Sequence, residues 1–344
     1  MKVVSMNGQE EEPVNAKVKS LIVYPVKSFR GVTLKKAIIT ERGLAVPNLN
    51  DNLSIDRLWC VCDLDGYVQD IRTQQHFATI AVDIDYKSNS LILSPTLRDD
   101  LKDFGSLIVP IDETAYKQNP VQLVSDRYKN YWFGQPLNGY KCGVEASSWI
   151  TSFIHKHNRF SRGMEFMFVR FKSDSNRRMS KMFKGKSDIA KRAILNDQAA
   201  FADCAPFHLI SSESISDLSN RLPPNASCEK PVSIFRFRPN IEVKGLDKPY
   251  AEDTWITFSI GGAHFRQLGP TGRCIIPTTC PKEGIRCQDE EPRATLMKYR
   301  PLPYGDGPHG GPILGIWAAP QPQVEHVVSV GDEIISHWSD MTRL

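Results

Sequence analysis

The sequence predicts an α+β fold that is built mainly of β-strands. Short apolar stretches recur along most of the 344 residues and are separated by polar turns. Only two segments, near 145–157 and 211–222, show the apolar spacing of an amphipathic helix. Closely spaced strands of this kind favour a barrel or a sandwich over the alternating strands and helices of a parallel sheet.

Strands account for most of the first half of the chain. Each predicted strand is a short run of alternating or continuous apolar residues with turn residues at its ends. The pair Asp65-Gly66 lies between two such runs and is a signal for a tight hairpin. In chain order, these predicted strands are 17–26, 33–40, 58–63, 67–71, 90–93, 107–111 and 121–125.

Two helices and further strands are predicted in the second half. Apolar residues recur at i, i+3, i+4, i+7 and i+8 from Ala146 onward, which predicts a helix over 145–157. Ser211 or Ser212 can cap a second helix that ends at Leu222, before two prolines. The remaining predicted strands are 164–171, 207–210, 233–243, 254–260, 263–268, 314–318, 327–328 and 333–336.

The composition is that of a soluble globular protein. Hydrophobic residues make up 41% of the chain and charged residues 24%. A net charge of +4 is too small to indicate nucleic-acid binding, so we expect no nucleic-acid partner. No stretch approaches the roughly 18 apolar residues of a membrane span, so we expect no integral membrane anchor.

The first residues are acidic and have no apolar core. They therefore lack the marks of a secretory signal and of an arginine-rich transit peptide, and we expect a cytoplasmic protein. We predict a disordered tail at 1–16, then domains at 17–145 and 146–344 with their boundary near the first helix. We expect the protein to be a monomer.

Cys274 is the strongest single candidate for chemistry. It lies in Gly-Pro-Thr-Gly-Arg-Cys-Ile-Ile-Pro at 269–277, a turn bounded by glycine and proline. Loop amides and the fixed charge of Arg273 would favour the thiolate, which is either a nucleophile or a soft metal ligand. Taken alone, a buried and inert cysteine is the commoner outcome.

The other cysteines show no metal-binding spacing. No Cys-x-x-Cys pair occurs, so zinc-ribbon, thioredoxin-type and plant-type iron–sulfur sites lack their ligand pattern. In a protein without a secretory signal we expect free thiols. The eight cysteines are Cys60, Cys62, Cys142, Cys204, Cys228, Cys274, Cys280 and Cys287.

The segment 172–192 concentrates positive charge. It is interpreted either as a solvated loop or as a docking surface for an acidic partner. Its basic residues are Lys172, Arg177, Arg178, Lys181, Lys184, Lys186, Lys191 and Arg192.

Five dispersed motifs follow one another along the chain. They are Val-Tyr-Pro-Val-Lys-Ser at 23–28, Asp-Arg-Leu-Trp at 56–59, Phe-Arg-Pro-Asn-Ile at 237–241, Tyr-Ala-Glu-Asp at 250–253 and Arg-Cys-Ile at 273–275. In this order and spacing they resemble the MOSC family, in the group of the mitochondrial amidoxime reducing components, and the resemblance extends from about 18 to about 338. The resemblance implies a MOSC N-terminal β-barrel-like domain followed by a MOSC β-barrel with peripheral helices.

The resemblance also implies a molybdenum cofactor, in which a pterin dithiolene holds the metal and one protein cysteine completes its sulfur ligation. Cys274 matches that cysteine and would be both the metal ligand and the catalytic residue. Arginines grip phosphate or pterin groups with paired donors, and lysine, serine and asparagine add single polar contacts. The positions expected to line the cofactor are Lys27, Ser28, Arg57, Cys204, Ala205, Arg238, Asn240 and Arg273.

Two segments depart from the family pattern. Cys204 and Ala205 stand where the family carries small hydroxyl residues, so the cofactor would lose donors there. Prolines at 277 and 281 follow the active cysteine, where the amidoxime reductases have no such proline. The substrate pocket is therefore expected to differ.

The implied activity is the reduction of N-hydroxylated substrates, small molecules with an N–O bond, by a molybdenum-dependent oxidoreductase. Two electrons are consumed and the oxygen leaves as water. The implied electron donors are an external b-type haem cytochrome and its reductase. The alternative is a protein that binds or carries the molybdenum cofactor or its sulfur without redox turnover. MOSC domains also form the carboxyl-terminal part of molybdenum cofactor sulfurases, whose pyridoxal-phosphate domain has no counterpart in this sequence.

Overall fold

The computed structural model describes residues 3–4, 10–12, 16–49, 53–95, 101, 104–124, 137–175, 177, 194, 197–302, 311–321 and 325–338. Within these ranges the predicted fold class is confirmed, because strands dominate and the helices lie between them. One hydrophobic core runs through both halves of the chain, from Val23 and Trp59 to Phe168 and Phe265.

Apolar runs of four to ten residues form most of the strands, and turn residues end them. The strands are β1 (Val3–Val4), β2 (Glu10–Glu12), β3 (Lys17–Val23), β4 (Val32–Leu34), β5 (Lys36–Thr40), β6 (Gly43–Ala45), β7 (Trp59–Asp63), β8 (Val68–Gln69), β9 (Ile80–Asp85), β10 (Ser90–Pro95), β11 (Leu107–Pro110), β12 (Pro120–Leu123), β13 (Leu137–Lys141), β14 (Phe166–Phe171), β15 (Phe207–Ser211), β16 (Ile241–Lys244), β17 (Trp255–Ile260), β18 (Ala263–Gly272), β19 (Ile313–Pro320), β20 (His326–Ser329) and β21 (Ile334–Trp338). The helices are α1 (Val144–His157), α2 (Ser212–Arg221) and α3 (Arg293–Tyr299).

The described strands form four sheets, and the largest of these contains strands from both ends of the chain. Its order is β1-β2-β21-β17-β18-β19-β15-β16-β3-β4. In this sheet, Leu21 of β3 pairs with Ile241 of β16. The strand β3 thereby joins the first half of the chain to strands of the second half. A five-stranded sheet has the order β12-β13-β14-β7-β8, and two three-stranded sheets have the orders β11-β10-β9 and β20-β5-β6.

The two predicted helices are confirmed by their buried faces. In α1, Ile150, Phe153 and Ile154 are buried, as the i, i+3, i+4 spacing requires. In α2, the Ser211 hydroxyl caps the first turn by accepting from the Ser214 amide at 3.1 Å.

The predicted strand over 233–243 is wrong for its first eight residues. Ile234–Arg236 is a short 3₁₀ helix, and the strand runs only from Ile241 to Lys244. Ser233 caps the 3₁₀ helix, and Arg238 has φ 57°, which no strand accommodates. The apolar residues here are buried in a turn and not along a sheet. The helix α3 and five strands, β1, β2, β6, β9 and β13, were not predicted.

The predicted organisation into domains stays a prediction. The helix α1 lies where the boundary is expected. Within the segment 1–16, expected to be a disordered tail, the described residues include β1 and β2, and β2 pairs with β21. No described helix has the length and apolar character needed to cross a membrane.

The backbone conformation and close packing of the central strand β19 require a glycine at position 315. Its φ is 76°, and an added Cβ would lie 2.5 Å from the Leu209 carbonyl oxygen and 2.9 Å from His208 Nε2. Because strain and crowding add, Gly315→Ala should lower the free energy of unfolding by about 2–5 kcal/mol, measured in urea.

Gly331→Ala is the matched control for this prediction. Gly331 has φ 96° and no atom within 4 Å of an added Cβ, so only the backbone strain remains. We expect a loss of about 1–2 kcal/mol for this variant. Equal losses in both variants would contradict the close packing around Gly315.

Candidate functional site

Two of the predicted motifs are joined through their main chains. The Arg57 amide donates to the Tyr24 carbonyl at 2.6 Å, and the Trp59 amide donates to the Pro25 carbonyl at 3.1 Å. The Lys27 amide donates in turn to the Trp59 carbonyl at 2.8 Å. The motifs at 24–28 and 56–59 therefore form one rigid unit at the end of β3.

A buried carboxylate connects this unit to the motif at 237–241. Asp56 is 1% exposed and accepts from the Tyr24 amide at 2.9 Å, from Asn240 Nδ2 at 3.0 Å and from Arg57 Nη1 at 2.5 Å. A buried charge of this kind is stable only when its oxygens are satisfied, as they are here. Asp56 lies within a quoted motif, but its own function was not predicted.

The carboxamide of Asn240 forms its hydrogen bonds with other residues of the protein. Its Nδ2 donates to the Asp56 carboxylate and to the Ile22 carbonyl at 3.2 Å. Its Oδ1 accepts from Arg57 Nη1 at 3.0 Å and from the His208 amide at 3.3 Å. The side chain was predicted to contact a cofactor, whereas its bonds in the structure orient Arg57.

Two arginines lie over the ring of Tyr24. The Cζ atoms of Arg57 and Arg238 lie 4.6 and 4.3 Å from the centroid of its ring. The Tyr24 hydroxyl is buried and has no hydrogen-bond partner among the described residues. Burial raises the pKa of Tyr24 to about 12, against the opposing charges of Arg238 and Arg57, so the hydroxyl stays a donor.

Arg238 and Arg273 keep donors that nothing in the described chain accepts. Arg238 Nη1 donates to the Phe29 carbonyl at 2.7 Å, while its Nη2 is buried without a partner. Arg273 Nη2 donates to the Phe237 carbonyl at 2.7 Å, while its Nε is buried without a partner. Burial lowers the pKa of each guanidinium to about 10, so both remain cationic at neutral pH.

His208 is a core residue whose ring is hydrogen-bonded. It is 8% exposed, and its Nε2 lies 3.3 Å from Arg273 Nη1. Burial and the Arg273 charge lower its pKa well below the usual value, so the ring is neutral and its Nε2 accepts from the guanidinium.

Lys27 and Ser28 are both buried at the end of the first motif. Lys27 is 6% exposed, donates to the Phe201 carbonyl at 3.2 Å and forms an ion pair with Asp203. Although burial opposes it, Lys27 lowers the pKa of Asp203 to about 2. The Ser28 hydroxyl accepts from the Ile71 amide at 3.3 Å.

Backbone strain concentrates at the predicted site. Among the described residues, seven non-glycine residues have a positive φ, and three of them are Ser28 (75°), Arg57 (49°) and Arg238 (57°). Such conformations cost about 1–3 kcal/mol each and persist where surrounding contacts enforce them, often at functional sites. No feature of a single sequence shows this strain in advance.

The turn before Cys204 rests on a buried arginine. Arg177 is 1% exposed; its Nη1 donates to the carbonyls of Ala200, at 2.8 Å, and Ala202, and its Nη2 donates to the Asp203 carbonyl at 2.5 Å. For this residue the expected solvated or docking function is wrong. Most of the segment 172–192, namely 176 and 178–192, lies outside the described residues.

Cys204 and Ala205 follow this turn and offer little polar surface. Burial raises the pKa of the Cys204 thiol, with the Asp203 charge adding to the effect. Ala205 packs against Leu268 and Ala319. Neither side chain supplies the hydroxyl donor whose absence the sequence predicts at these two positions.

Cys274 lies in the turn between β18 and a 3₁₀ helix, Ile276–Thr278. The preceding Arg273 is fixed by its amide, which donates to the Pro312 carbonyl at 2.7 Å. Burial raises the pKa of Cys274, although the Ile276 amide and the Arg273 charge oppose it. The expected contributions of a loop amide and of Arg273 are present and favour the thiolate, but desolvation is larger and keeps the pKa of the thiol raised.

Arg72 is an additional cation that the sequence did not reveal. Its guanidinium forms an ion pair with Asp70, and its charge lowers the pKa of both Asp203 and Cys274, against the effect of burial. Its carbonyl accepts from Arg286 Nη2 at 3.2 Å. The loop that follows Cys274 is thereby fixed to the amino-terminal half.

The site is strongly cationic. Three carboxylates, Asp56, Asp70 and Asp203, face six cations whose charges act on Tyr24, Asp203 or Cys274. The cations are Lys27, Arg57, Arg72, Arg177, Arg238 and Arg273. This excess of positive charge, together with buried donors, favours an anionic, polar ligand.

Within the described residues, no group of three or more histidine, cysteine or acidic side chains could hold a metal ion. All eight cysteines are free, as expected for a protein without disulfides. Cys280, close to Cys274 in sequence, is half-buried, and its amide donates to the Ile285 carbonyl at 2.7 Å. A metal at this site would therefore need ligands other than the side chains of the described residues.

Comparison with known proteins identifies the parts of the chain. Residues 15–157 match the MOSC N-terminal beta barrel domain, and residues 196–335 match the MOSC domain. Mitochondrial amidoxime reducing component 2 of Bos taurus and mitochondrial amidoxime-reducing component 1 of Homo sapiens are each 31% identical, over 82% of this chain and 72% of theirs. The molybdenum cofactor sulfurase of Oryza sativa subsp. japonica is 28% identical, over 86% of this chain and 32% of its own. With both domains matched and in order, the chain belongs to the MOSC family.

Proposed function

We propose that this protein is a molybdenum-cofactor-dependent oxidoreductase that reduces N-hydroxylated small molecules. The observation that carries the proposal is a set of buried donors in the cationic site that the described chain does not satisfy: Tyr24 Oη, Arg238 Nη2 and the Nε of Arg273, the residue before Cys274. A buried donor without a partner costs about 1–3 kcal/mol, so three in one cationic site indicate a ligand that accepts from them.

The residues fit an anionic cofactor with phosphate and pterin groups. Arg238 and Arg273 would bind it through their remaining donors, and Tyr24 through its hydroxyl. Lys27 and Ser28 lie at the same end of β3 and would supply an ammonium and a hydroxyl. The Cys274 thiol would provide the one soft protein ligand for the metal.

Arg57 and Asn240 would not contact the cofactor themselves but would act through neighbouring residues. Arg57 donates to Asp56, to Asn240 and to the Arg238 carbonyl at 3.0 Å, which leaves its guanidinium committed within the protein. Asn240 orients Arg57. Their function in the proposal is to position Arg238 and Tyr24.

When bound, the cofactor supplies the two-electron chemistry that cleaves the N–O bond, while the protein binds, orients and shields it. The buried cations would hold the negative cofactor and stabilise negative charge that develops on the departing oxygen. The neutral His208 is not a proton donor in this proposal, so the protons come from water.

Electrons would come from an external donor, a b-type haem cytochrome with its reductase. The relatives named amidoxime reducing components support the reductase proposal. The cytoplasmic location and the monomeric state stay predictions; the same relatives are named as mitochondrial proteins.

A carrier of the cofactor is the second candidate. The relative named molybdenum cofactor sulfurase aligns with 86% of this chain, which supports a function in handling the cofactor. Turnover separates the two candidates, because a carrier binds molybdenum without reducing substrate.

The function of Cys274 can be tested by metal content. Protein from a host that makes the molybdenum cofactor should contain close to one molybdenum per chain and should reduce an N-hydroxylated amidine with reduced methyl viologen. Cys274→Ser should lose about tenfold or more of the metal or of the turnover, because serine is a poor soft-metal ligand.

Cys280→Ser is the matched control, since this half-buried cysteine is close in sequence and outside the proposed ligand set. It should retain molybdenum and activity. Well-folded wild-type protein without molybdenum would sink the proposal. Molybdenum without turnover would favour the carrier.

Tyr24→Phe tests whether the buried hydroxyl faces the cofactor. Without cofactor, the variant should be as stable as the wild type or more stable by about 1 kcal/mol, because an unsatisfied donor is removed. With cofactor, molybdenum content should fall, and the cofactor should raise Tm less than it does in the wild type. Unchanged cofactor binding would place the hydroxyl outside the site.

Asn240→Ala tests the positioning function. The change leaves Arg57, Asp56 and the His208 amide without a shared partner, so the cofactor-free protein should lose about 2–4 kcal/mol of unfolding free energy. Exposed Asn119 serves as the control, and Asn119→Ala should be near neutral. If stability were unchanged and only cofactor binding fell, Asn240 would contact the cofactor directly.

A further inference from the structure

A basic cleft lies away from Cys274, where the carboxyl end of α1 meets the segment after Arg72. Its volume is about 400 Å³. Among the described residues that line it none is acidic, whereas three are lysine or arginine and three are histidine. These are Lys156, Arg159, Arg162, His76, His155 and His157.

The rim of the cleft has the composition of a protein-binding surface. Lys156, Arg159 and Arg162 are exposed, and Phe160 between them is 83% exposed. The Arg159 guanidinium lies 5.0 Å from the centroid of the Phe160 ring. An exposed aromatic ring flanked by arginines is typical of the residues that dominate binding energy at interfaces.

The walls of the cleft are held in place by their own contacts. The rings of His76 and His157 stack with centroids 4.5 Å apart, and His155 Nε2 lies 2.8 Å from the Met164 carbonyl oxygen. Asn158 Nδ2 donates to Gln74 Oε1 at 3.1 Å, which ties the two sides together. A preformed surface of this kind loses little entropy when a partner binds.

The cleft is connected to the Cys274 site. Its lining begins at Thr73, directly after Arg72, whose charge acts on Cys274. The loop that follows Cys274 contacts one lining residue, since a Cβ on Gly284 would lie 2.9 Å from the Cα of His76. That loop carries Lys282 and Glu283, whose charges offset each other.

We propose that this cleft docks the electron donor, a redox protein with an acidic patch around its haem edge. The proposal rests on the reductase function above. The positive rim complements an acidic partner, and the exposed Phe160 favours a protein over a small anion. Each docking event would pass one electron as the haem iron goes from Fe(II) to Fe(III). Two events and two protons from water convert one N–OH group to N–H and water.

Charge reversal tests the proposal. The variant Lys156→Glu/Arg159→Glu/Arg162→Glu should raise the KM for a soluble, acidic b-type cytochrome about tenfold or more at low salt, because electrostatic steering of the encounter is lost. The wild-type KM should rise steeply with salt and the variant's should not. Molybdenum content and turnover with reduced methyl viologen should stay unchanged. The dissociation constant for the cytochrome, measured by calorimetry, should rise by a similar factor.

Lys87→Glu/Lys117→Glu/Lys248→Glu is the matched control. These lysines are exposed, lie outside the cleft and change the net charge by the same amount. Equal effects in the two triple variants, or unchanged cytochrome binding in the cleft variant, would overturn the docking site. Tight binding of inorganic phosphate that the cleft variant abolishes, with cytochrome affinity unaltered, would identify a small-anion site instead and would also overturn it. Failure of the reductase function is distinct, because wild-type protein would then show no turnover even with methyl viologen.

Discussion

The buried carboxylate of Asp56 is the contact on which the arrangement of the site depends. It accepts from the Tyr24 amide, from Asn240 and from Arg57, residues that the chain places up to 216 positions apart. A charge this deeply buried requires all its partners, so the three segments can adopt only one mutual arrangement. The same bonds fix the stack of Arg57, Tyr24 and Arg238. The unsatisfied donors of the site are therefore held in place before any ligand binds.

Backbone strain and buried hydrogen-bond donors without acceptors occur together at this site. Arg57 and Arg238 adopt left-handed backbone conformations, and the donors of Arg238 and Arg273 are buried without acceptors. Each feature costs stability, which the continuous core through both halves must offset. A ligand that accepts from these donors recovers part of that cost on binding. Cofactor binding and folding stability should therefore be linked in this protein.

The sequence was informative wherever a local pattern decides the structure. The hairpin at Gly66 and the buried face of α1 follow from turn residues and from helical spacing. The segment before Ile241 was misread because its apolar residues are buried in a 3₁₀ turn, which short apolar runs do not distinguish from a strand. The motifs indicated the site, but not which donors would remain for a ligand. Asn240 illustrates this, since only the tertiary structure shows that its carboxamide is fully used.

Charge gives the final constraint on what the protein binds. The contributions to the Cys274 pKa from the loop amide and Arg273 have the sign that the sequence predicts, yet burial outweighs them. Their balance depends on how deeply the turn is buried, which no local motif encodes. A half-buried neutral thiol among six cations is a poor general nucleophile but suits a ligand that displaces the thiol proton as it binds. The same cations attract the anionic part of that ligand.

The cleft at the end of α1 carries positive charge on an exposed rim, where salt screens it and a protein partner can reach it. The buried cations around Cys274 thus favour retention of a cofactor. The exposed cations of the cleft favour a reversible encounter with an electron donor.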